Sequence, residues 1–593
     1  MGLVPDITLD QEPGLKIALV HAAICWKEKD KNIAKLLALN EEAAKSGSKV
    51  IVNTELATTG YAFECRKEIA PLTESIPGPT TLAFGRIAGD YGCYICIGLP
   101  ERDAGTGIFY NSAVLIGPSG QVVARYRKAS PAFRENLWAA KGNLPVPVVQ
   151  TEFGAMGLVI CADSYSYRQA RIAALKGARL LMIPANWPPE HHNPEKFWRA
   201  RALENGIYVL ACNRTGMDRV MDCRHAESFV INPQGRAIKQ ISSPEDIIIY
   251  DALPLGGGMI SSAAGEWTMI GDFAVETAEK MPQNARSTLG SRRPQCYGNI
   301  TLDPYSYINI EFLLGLPPAA EFCVATLQYR ARPLDVQANV RKMLRLIDDA
   351  SAKAAESRQT INLAVLPELA ACGRISNSKD AKRCSEEIPG RITEAFAEKA
   401  LEKNIFIILG MAEQDTGDEM RRYNSSVLIG PDGLVGKYRA VHLSSRDGNW
   451  ATPGSDGFAA FDLPFARVGM LLGHDLMFPE AAESLAKLGA DILCVPALWK
   501  DAGSKFIWEA RLGEQMHMAV ANQWGNCGGL HALGESLLCS YSRYPERISS
   551  LSSPPQGDII NIAKFGTKDS REKRFMENID YSVLLDLTKP EIS

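Results

Sequence analysis

Cys161 stands where a thiol could act as a nucleophile. It follows the apolar run Gly157-Leu-Val-Ile160, which reads as a strand, and it precedes a segment with helical spacing. A strand-to-helix junction presents a side chain sharply. A helix N-terminus there would lower the thiol pKa and offer backbone N–H groups to a developing oxyanion. Taken alone, the position also suits an inert cysteine filling a core. Two further residues sharpen the case. Glu55 closes the apolar run KVIVNTEL, where an unpaired carboxylate costs several kcal/mol. Lys128 lies in RYRKAS, just past the turn GPSG. Each has a plainer explanation, a cap or ion pair for Glu55 and a solvated charge for Lys128. Together, a base, a cation and a thiol at strand ends are the parts of one nucleophilic site.

The elements that would position these residues occur twice. Residues 110–120 read YNSAVLIGPSG and residues 423–433 read YNSSVLIGPDG, identical at nine of eleven positions. At nearly the same offset VNTELATTGY (52–61) matches VLPELAACGR (365–374), GLVICAD (157–163) matches GMLLGHD (469–475), and GARLLMIPANW (177–187) matches GADILCVPALW (489–499). A period above 300 residues is far too long for a solenoid, so the chain is a duplicated domain. The polar stretch MPQNARSTLGSRRPQ divides the copies, giving domains over 1–275 and 318–593 with a linker over 276–317. Within each copy, strand-like runs such as KIALVHAAI, YICIGLPE and YNSAVLIG alternate with helical ones such as NIAKLLALNEEAAKSG. That order implies an α/β sandwich with helices covering sheets.

In these motifs the chain resembles the nitrilase, or carbon–nitrogen hydrolase, superfamily. Glu55 precedes Gly60-Tyr61, Lys128 ends Tyr126-Arg127-Lys128, and Gly157, Cys161 and Asp163 form G-x-x-x-C-x-D. The family's second glutamate, seven residues before a glycine, matches Glu135 before Gly142, and RALEN (201–205) and SFVINPQG (228–235) resemble later motifs. The resemblance implies two tandem αββα sandwich domains packed as an internal pseudo-dimer. It also implies that Glu55 is the general base, that Cys161 forms a thioester, and that Lys128 and the Ala162 backbone N–H hold the oxyanion. Glu135 would position Lys128 or the substrate amide. No metal or organic cofactor is needed for such chemistry. Tyr61, Trp138 and Trp187 are candidate pocket walls, with core packing as the alternative.

The second copy departs from the pattern where chemistry is concerned. Glu368 matches Glu55, but Lys128 corresponds to Ala440, Glu135 to Asp447 and Cys161 to Gly473. His474, one residue beyond, is a poor substitute for the nucleophile. Residues 318–593 are therefore expected to be catalytically inactive and to serve a structural role.

Other readings are weaker. His191-His192 could pair with a cysteine, but they lie in a polar loop, and no third residue completes a metal site. Cys93-x-x-Cys96 looks like a redox or zinc motif, yet its repeat partner has Ile405 and Ile408, which favours a core strand. The Gly-rich insert 256–267 is a candidate to cover the pocket or to meet the second copy. Cys-Ala-Asp at 161–163 favours a small amide substrate over a nitrile, while a nitrilase, an N-carbamoyl hydrolase and a non-catalytic scaffold stay open. A net charge of −4, from 64 Lys+Arg and 68 Asp+Glu, argues against nucleic acid. No run of apolar residues is long enough to span a membrane. Fourteen scattered cysteines without a secretory signal suit reduced thiols in the cytoplasm. Further homo-oligomerisation is open.

Overall fold

The computed structural model describes residues 14–189, 193–255, 259–261, 267–269, 288–500, 503–543, 546–575 and 579–586. The described residues divide into two compact units, one within Met1–Leu289 and Met576–Leu584, the other within Gly290–Phe575 and Leu585–Ser593.

The first unit is built on two six-stranded sheets. One runs, in spatial order, Ile247–Leu253, Leu15–His21, Val50–Val52, Tyr94–Arg102, Phe109–Ile116 and Val122–Arg127. The other runs Ala237–Ile241, Ser228–Ile231, Tyr208–Cys212, Leu180–Pro184, Met156–Leu158 and Val148–Val149. The central pairs are parallel and the flanking ones antiparallel. Strands covered on both faces need continuous apolar sequence, which is why Leu15–His21 and Leu180–Pro184 are buried almost throughout. Helices Lys29–Lys45 and Pro79–Tyr91 cover the outer face of the first sheet, bringing Leu36, Ala43, Phe84 and Ala88 onto Ala18, Val20, Ile95 and Val114. Helices Tyr167–Leu175 and Glu195–Asn205 lie against the second. The inner faces meet, with the Cys212 thiol donating to the Val20 carbonyl at 3.3 Å. The layers are therefore αββα.

The second unit repeats this plan. Its sheets run Gly433–Arg439, Arg422–Gly430, Phe406–Gln414, Leu363–Val365, Glu321–Gln328, Ile559–Gly566, and Glu546–Ser552, Leu537–Arg543, His517–Asn522, Ile492–Ala497, Ala466–Met470, Ala460–Leu463. Strand for strand the order matches the first unit. The segment from Gly290 belongs here: Arg292 pairs with Glu480 at 3.0 Å, and the Tyr297 hydroxyl bonds His442 Nε2 at 2.7 Å.

The sequence overextends two strands. The apolar run KVIVNTEL is a strand only over Val50–Val52, and the strand read at Gly157–Ile160 ends at Leu158. In both, the chain leaves the sheet before the chemically interesting residue and turns. The insert 256–267 is described only at 259–261 and 267, in a short antiparallel hairpin, and its other residues lie outside the described set. The same holds for 276–287 of the linker.

Candidate functional site

Three loops at strand ends bring Glu55, Lys128, Glu135 and Cys161 together in the first unit. Glu55 sits in a turn three residues past its strand, and Leu56 takes a left-handed φ of 45° to redirect the chain. The turn rests on the neighbouring strand at Gly98, where a Cβ would lie 2.8 Å from Glu55 Cα. Only glycine allows that approach. Gly410 plays the same part beneath Glu368, with a Cβ falling 2.5 Å from its Cα.

Lys128 follows directly on the strand Val122–Arg127 and is buried, as are Glu55 and Glu135. Its Nζ lies 2.6 Å from Glu55 Oε1 and 2.6 Å from Glu135 Oε2. Burial works against the ammonium, but the charges of Glu135 and Glu55 overcome it and hold the pKa well above the ordinary lysine value. Glu55 is pushed up to about 7, by burial first, with Lys128 opposing and Glu135 adding to the rise. It is thus poised to exchange a proton near neutrality.

The rest of Glu55 is fixed by amides. Its Oε2 accepts the Asn186 backbone N–H at 2.9 Å, and its carbonyl accepts Asn186 Nδ2 at 2.8 Å. Asn111 Nδ2 donates to Glu55 Oε1 at 2.7 Å and also to Glu135 Oε1, so one amide ties both carboxylates. Sequence reasoning missed Asn111. It lies in the strand Phe109–Ile116, in the very motif whose repetition at 423–433 marked the duplication, and that identity was its signal.

Cys161 opens the short 3-10 turn Cys161–Ser164 and takes φ 41°, a conformation costing about 1–3 kcal/mol in a non-glycine residue. The turn is held by Ser164 Oγ, which donates to the Cys161 carbonyl at 2.6 Å and accepts the Trp198 indole N–H at 2.9 Å. Asp163 locks this turn to the lysine loop. Its carboxylate accepts the Tyr126 hydroxyl at 2.7 Å and the backbone N–H groups of Ala129 and Ser130 at 3.0 and 2.7 Å.

The thiol itself departs from expectation. Its pKa stands well above the ordinary cysteine value, through burial first and then the Glu55 charge, with Lys128 and the Asn186 backbone N–H opposing. The expected lowering fails because the residue opens a single 3-10 turn inside the protein, whereas the α-helix starts only at Tyr167. Burial thus favours the thiol form of Cys161 over the thiolate.

Of the expected pocket walls, Tyr61 belongs to the polar cluster: its hydroxyl donates to Glu135 Oε2 at 2.8 Å, and its ring lies 5.6 Å from Lys128 Nζ. Trp138 is core, packed with Leu56, Phe63, Ile69 and Phe109. Trp187 is half-buried beside Asn186, with its ring stacked 6.4 Å from Phe197. Ala162 is half-buried next to the thiol. His191 and His192 lie outside the described residues. Cys93 and Cys96 are buried at the first sheet's core. Among the described residues, no group of three or more His, Cys, Asp or Glu could hold a metal ion, and no helix is long and apolar enough to cross a membrane.

The second unit keeps the frame and loses the reacting groups. Glu368 Oε1 accepts Asn424 Nδ2 at 2.7 Å, and burial followed by the Asp447 charge pushes Glu368 up to about 8. Ala440 stands where Lys128 does. Gly473 does not adopt the left-handed φ of Cys161, and a Cβ there would lie 2.4 Å from Trp499 Nε1. The indole fills the space a nucleophile would need.

The sequence model of carbon-nitrogen hydrolases matches residues 16–257 and again 323–542. The chain belongs to the carbon-nitrogen hydrolase family. A nitrilase of Pyrococcus abyssi is 34% identical over 233 residues, covering 39% of this chain and 87% of its own length. An omega-amidase of Homo sapiens is 28% identical over 250 residues, covering 40% and 87% respectively. Among solved structures, an amidase from Nesterenkonia sp. aligns at 22% identity and a TM-score of 0.37, covering 41% of this chain and 92% of its own. As a duplicated carbon-nitrogen hydrolase, the protein is a hydrolase acting on C–N bonds, with two family regions of unequal chemical equipment.

Proposed function

We propose that the first unit hydrolyses a small amide through a thioester on Cys161. The observation that carries this reading is Lys128 Nζ, held 2.6 Å from both Glu55 and Glu135 within the charged surroundings of Cys161. Glu55 takes the thiol proton as the sulfur attacks the amide carbon, which avoids a free thiolate in a buried site. The tetrahedral oxyanion is stabilised by Lys128 and the Ala162 backbone N–H. On collapse the C–N bond breaks, and the leaving nitrogen takes the proton back from Glu55. The resulting thioester is attacked by water, which Glu55 deprotonates, and the acid and the free thiol are released. Glu135, through Lys128, Tyr61 and Asn111, keeps the cation and base in register.

Amides are favoured by Cys161-Ala162-Asp163 and by the omega-amidase relative. The Pyrococcus abyssi nitrilase supports nitriles as the second reading, using the same nucleophile. We assign catalysis to residues 1–275 and a non-catalytic role to 318–593 together with the segment from Gly290. The free thiols of the chain suit a reducing compartment such as the cytoplasm.

Ammonia release from a panel of small amides, N-carbamoyl compounds and matching nitriles, with Cys161→Ala as control, tests the assignment. Amide turnover lost in the variant supports it. Nitrile-only turnover moves the substrate class, and turnover surviving in Cys161→Ala refutes the mechanism.

A further inference from the structure

The second unit shows which buried contacts the fold keeps once the reacting groups are gone. In the first unit Arg127 pairs with Glu101 and Asp103 and stands over the Tyr110 ring. In the second, Arg439 pairs with Glu413 and Asp415 and stands over Tyr423. That network serves the sheet with or without a nucleophile. A buried contact that the second unit has given up is of another kind.

Such a contact lies at Asp218, in the short antiparallel pairing of Met217–Asp218 with Met221–Asp222. Asp218 is buried, and its Oδ2 accepts the backbone N–H of Tyr61, that of Ala62 at 3.3 Å, and Nη1 of the buried Arg214 at 3.2 Å. Gly60 makes room for it, since a Cβ there would lie 2.9 Å from the same oxygen. The Tyr61 hydroxyl in turn donates to Glu135 Oε2 at 2.8 Å, the oxygen that Lys128 Nζ reaches at 2.6 Å. One tyrosine therefore joins Asp218 to Glu135 and Lys128.

The second unit is built otherwise at this point. Asn213 and Asn522 each accept the backbone N–H of a tryptophan, Trp187 and Trp499, at 2.9 Å, which sets the two segments in register. In that register Arg214 becomes Gln523 and Asp218 becomes Cys527, while Tyr61 becomes Arg374. Cys527 belongs to an apolar cluster with Leu369 and Cys372, and its thiol donates to the Trp524 carbonyl at 3.6 Å. Gln523 donates to the Glu368 carbonyl at 2.8 Å. Yet the turn is retained, with φ 80° at Gly60 and 68° at Gly373. The turn thus forms without the carboxylate. A buried ion pair is also a poor source of stability, because desolvation offsets most of its attraction. What the Asp218–Arg214 pair adds in the first unit is a fixed direction for Tyr61.

We propose that Asp218, clamped by Arg214, is a positioning residue for the reaction of the first unit. It holds the Tyr61 backbone so that the hydroxyl keeps Glu135, and through it Lys128, in place. The inference rests on the thioester reading above.

A double-mutant cycle on the full chain tests it. One arm is Tyr61→Phe, which removes only the hydroxyl. The other is Arg214→Gln with Asp218→Ala, which takes out both charges and leaves neither buried alone. The readouts are kcat and KM on the best amide of the panel, and the rate of Cys161 alkylation by iodoacetamide, which needs no substrate. Each arm is expected to lower kcat by about tenfold to a hundredfold with KM changed little, and to slow alkylation. Combining the arms is expected to lower either rate no more than about twofold below the slower arm, because both break the same link. Losses that multiply in the combined variant overturn the proposal, as does an unchanged kcat in either arm. Asp218→Asn, which keeps the shape and trades a charged acceptor for a neutral one, replaces the paired variant if that does not fold and is judged by the same cycle. Amide turnover that persists in Cys161→Ala removes the thioester reading and the inference with it. Turnover that depends on Cys161 but shows multiplying losses removes the inference alone.

Discussion

Asn424 donates its side-chain N–H to Glu368 at 2.7 Å, and Asn111 makes the same bond at the same length to Glu55. The amide–carboxylate pair has outlasted the nucleophile and the lysine in the second unit. In the first unit it has an added task, because Asn111 reaches Glu135 as well. A hydrogen bond to a charged group is worth about 1.5–3 kcal/mol. Asn111→Ala is therefore expected to lower kcat by about tenfold to a hundredfold, with KM changed little. Steady-state kinetics on the best amide from the panel checks this, and an unchanged kcat would remove Asn111 from the positioning network.

Lys128 neutralises two buried carboxylates, so its loss affects more than catalysis. Removing one partner of a buried ion pair costs about 3–5 kcal/mol. Lys128→Met is expected to lower stability by that order in denaturant titration and to abolish turnover. A variant as stable as the parent would show that the carboxylates do not depend on the lysine.

The proton balance at Cys161 sets the pH dependence. Glu55 must be ionised to accept the thiol proton, and its pKa lies at about 7. Activity should therefore rise with pH through about 7 and be lost below it as Glu55 protonates. The rate of Cys161 alkylation by iodoacetamide should follow the same rise. In Glu55→Gln the base is gone and burial still holds the thiol up, so alkylation at neutral pH should fall by at least about tenfold. Equal alkylation rates in the two proteins would contradict the pairing of base and thiol.

Gly473 cannot simply be converted back into a nucleophile. A Cβ there meets Trp499 Nε1 at 2.4 Å, and the backbone lacks the left-handed φ of Cys161. Gly473→Cys is expected to destabilise the chain by about 1–3 kcal/mol through overpacking. It should create no hydrolytic activity in a Cys161→Ala background, even combined with Ala440→Lys. Thermal denaturation and ammonia release report the two outcomes.

What the sequence revealed depended on how each residue signals itself. Glu55, Lys128 and Cys161 could be found because charges and a thiol at the ends of apolar runs are out of place until they meet. An α/β sandwich with helices covering sheets followed from strands and helices alternating in both copies, and the αββα order of its layers from the family resemblance. Asn111 stayed hidden because a neutral amide inside a strand resembles any polar strand residue. Gly98 stayed hidden because the need for glycine comes from a turn on another strand. The thiol pKa was misjudged in sign because burial, which no local spacing displays, outweighs the start of a short turn. By residue type Tyr61 is a candidate pocket wall or core ring, and its bond to Glu135 stayed hidden because it joins residues 74 apart in sequence.

Hydrolysis by the first unit is proposed to pass through a covalent acyl group on Cys161, which intact-protein mass spectrometry during turnover reports. With an amide substrate quenched in acid, a mass increase equal to the acyl group is expected, located on the peptide carrying Cys161, cleared by hydroxylamine and absent in Cys161→Ala. Amide turnover by the wild-type chain with the acyl group found on another residue, or with hydrolysis persisting in Cys161→Ala, would contradict it.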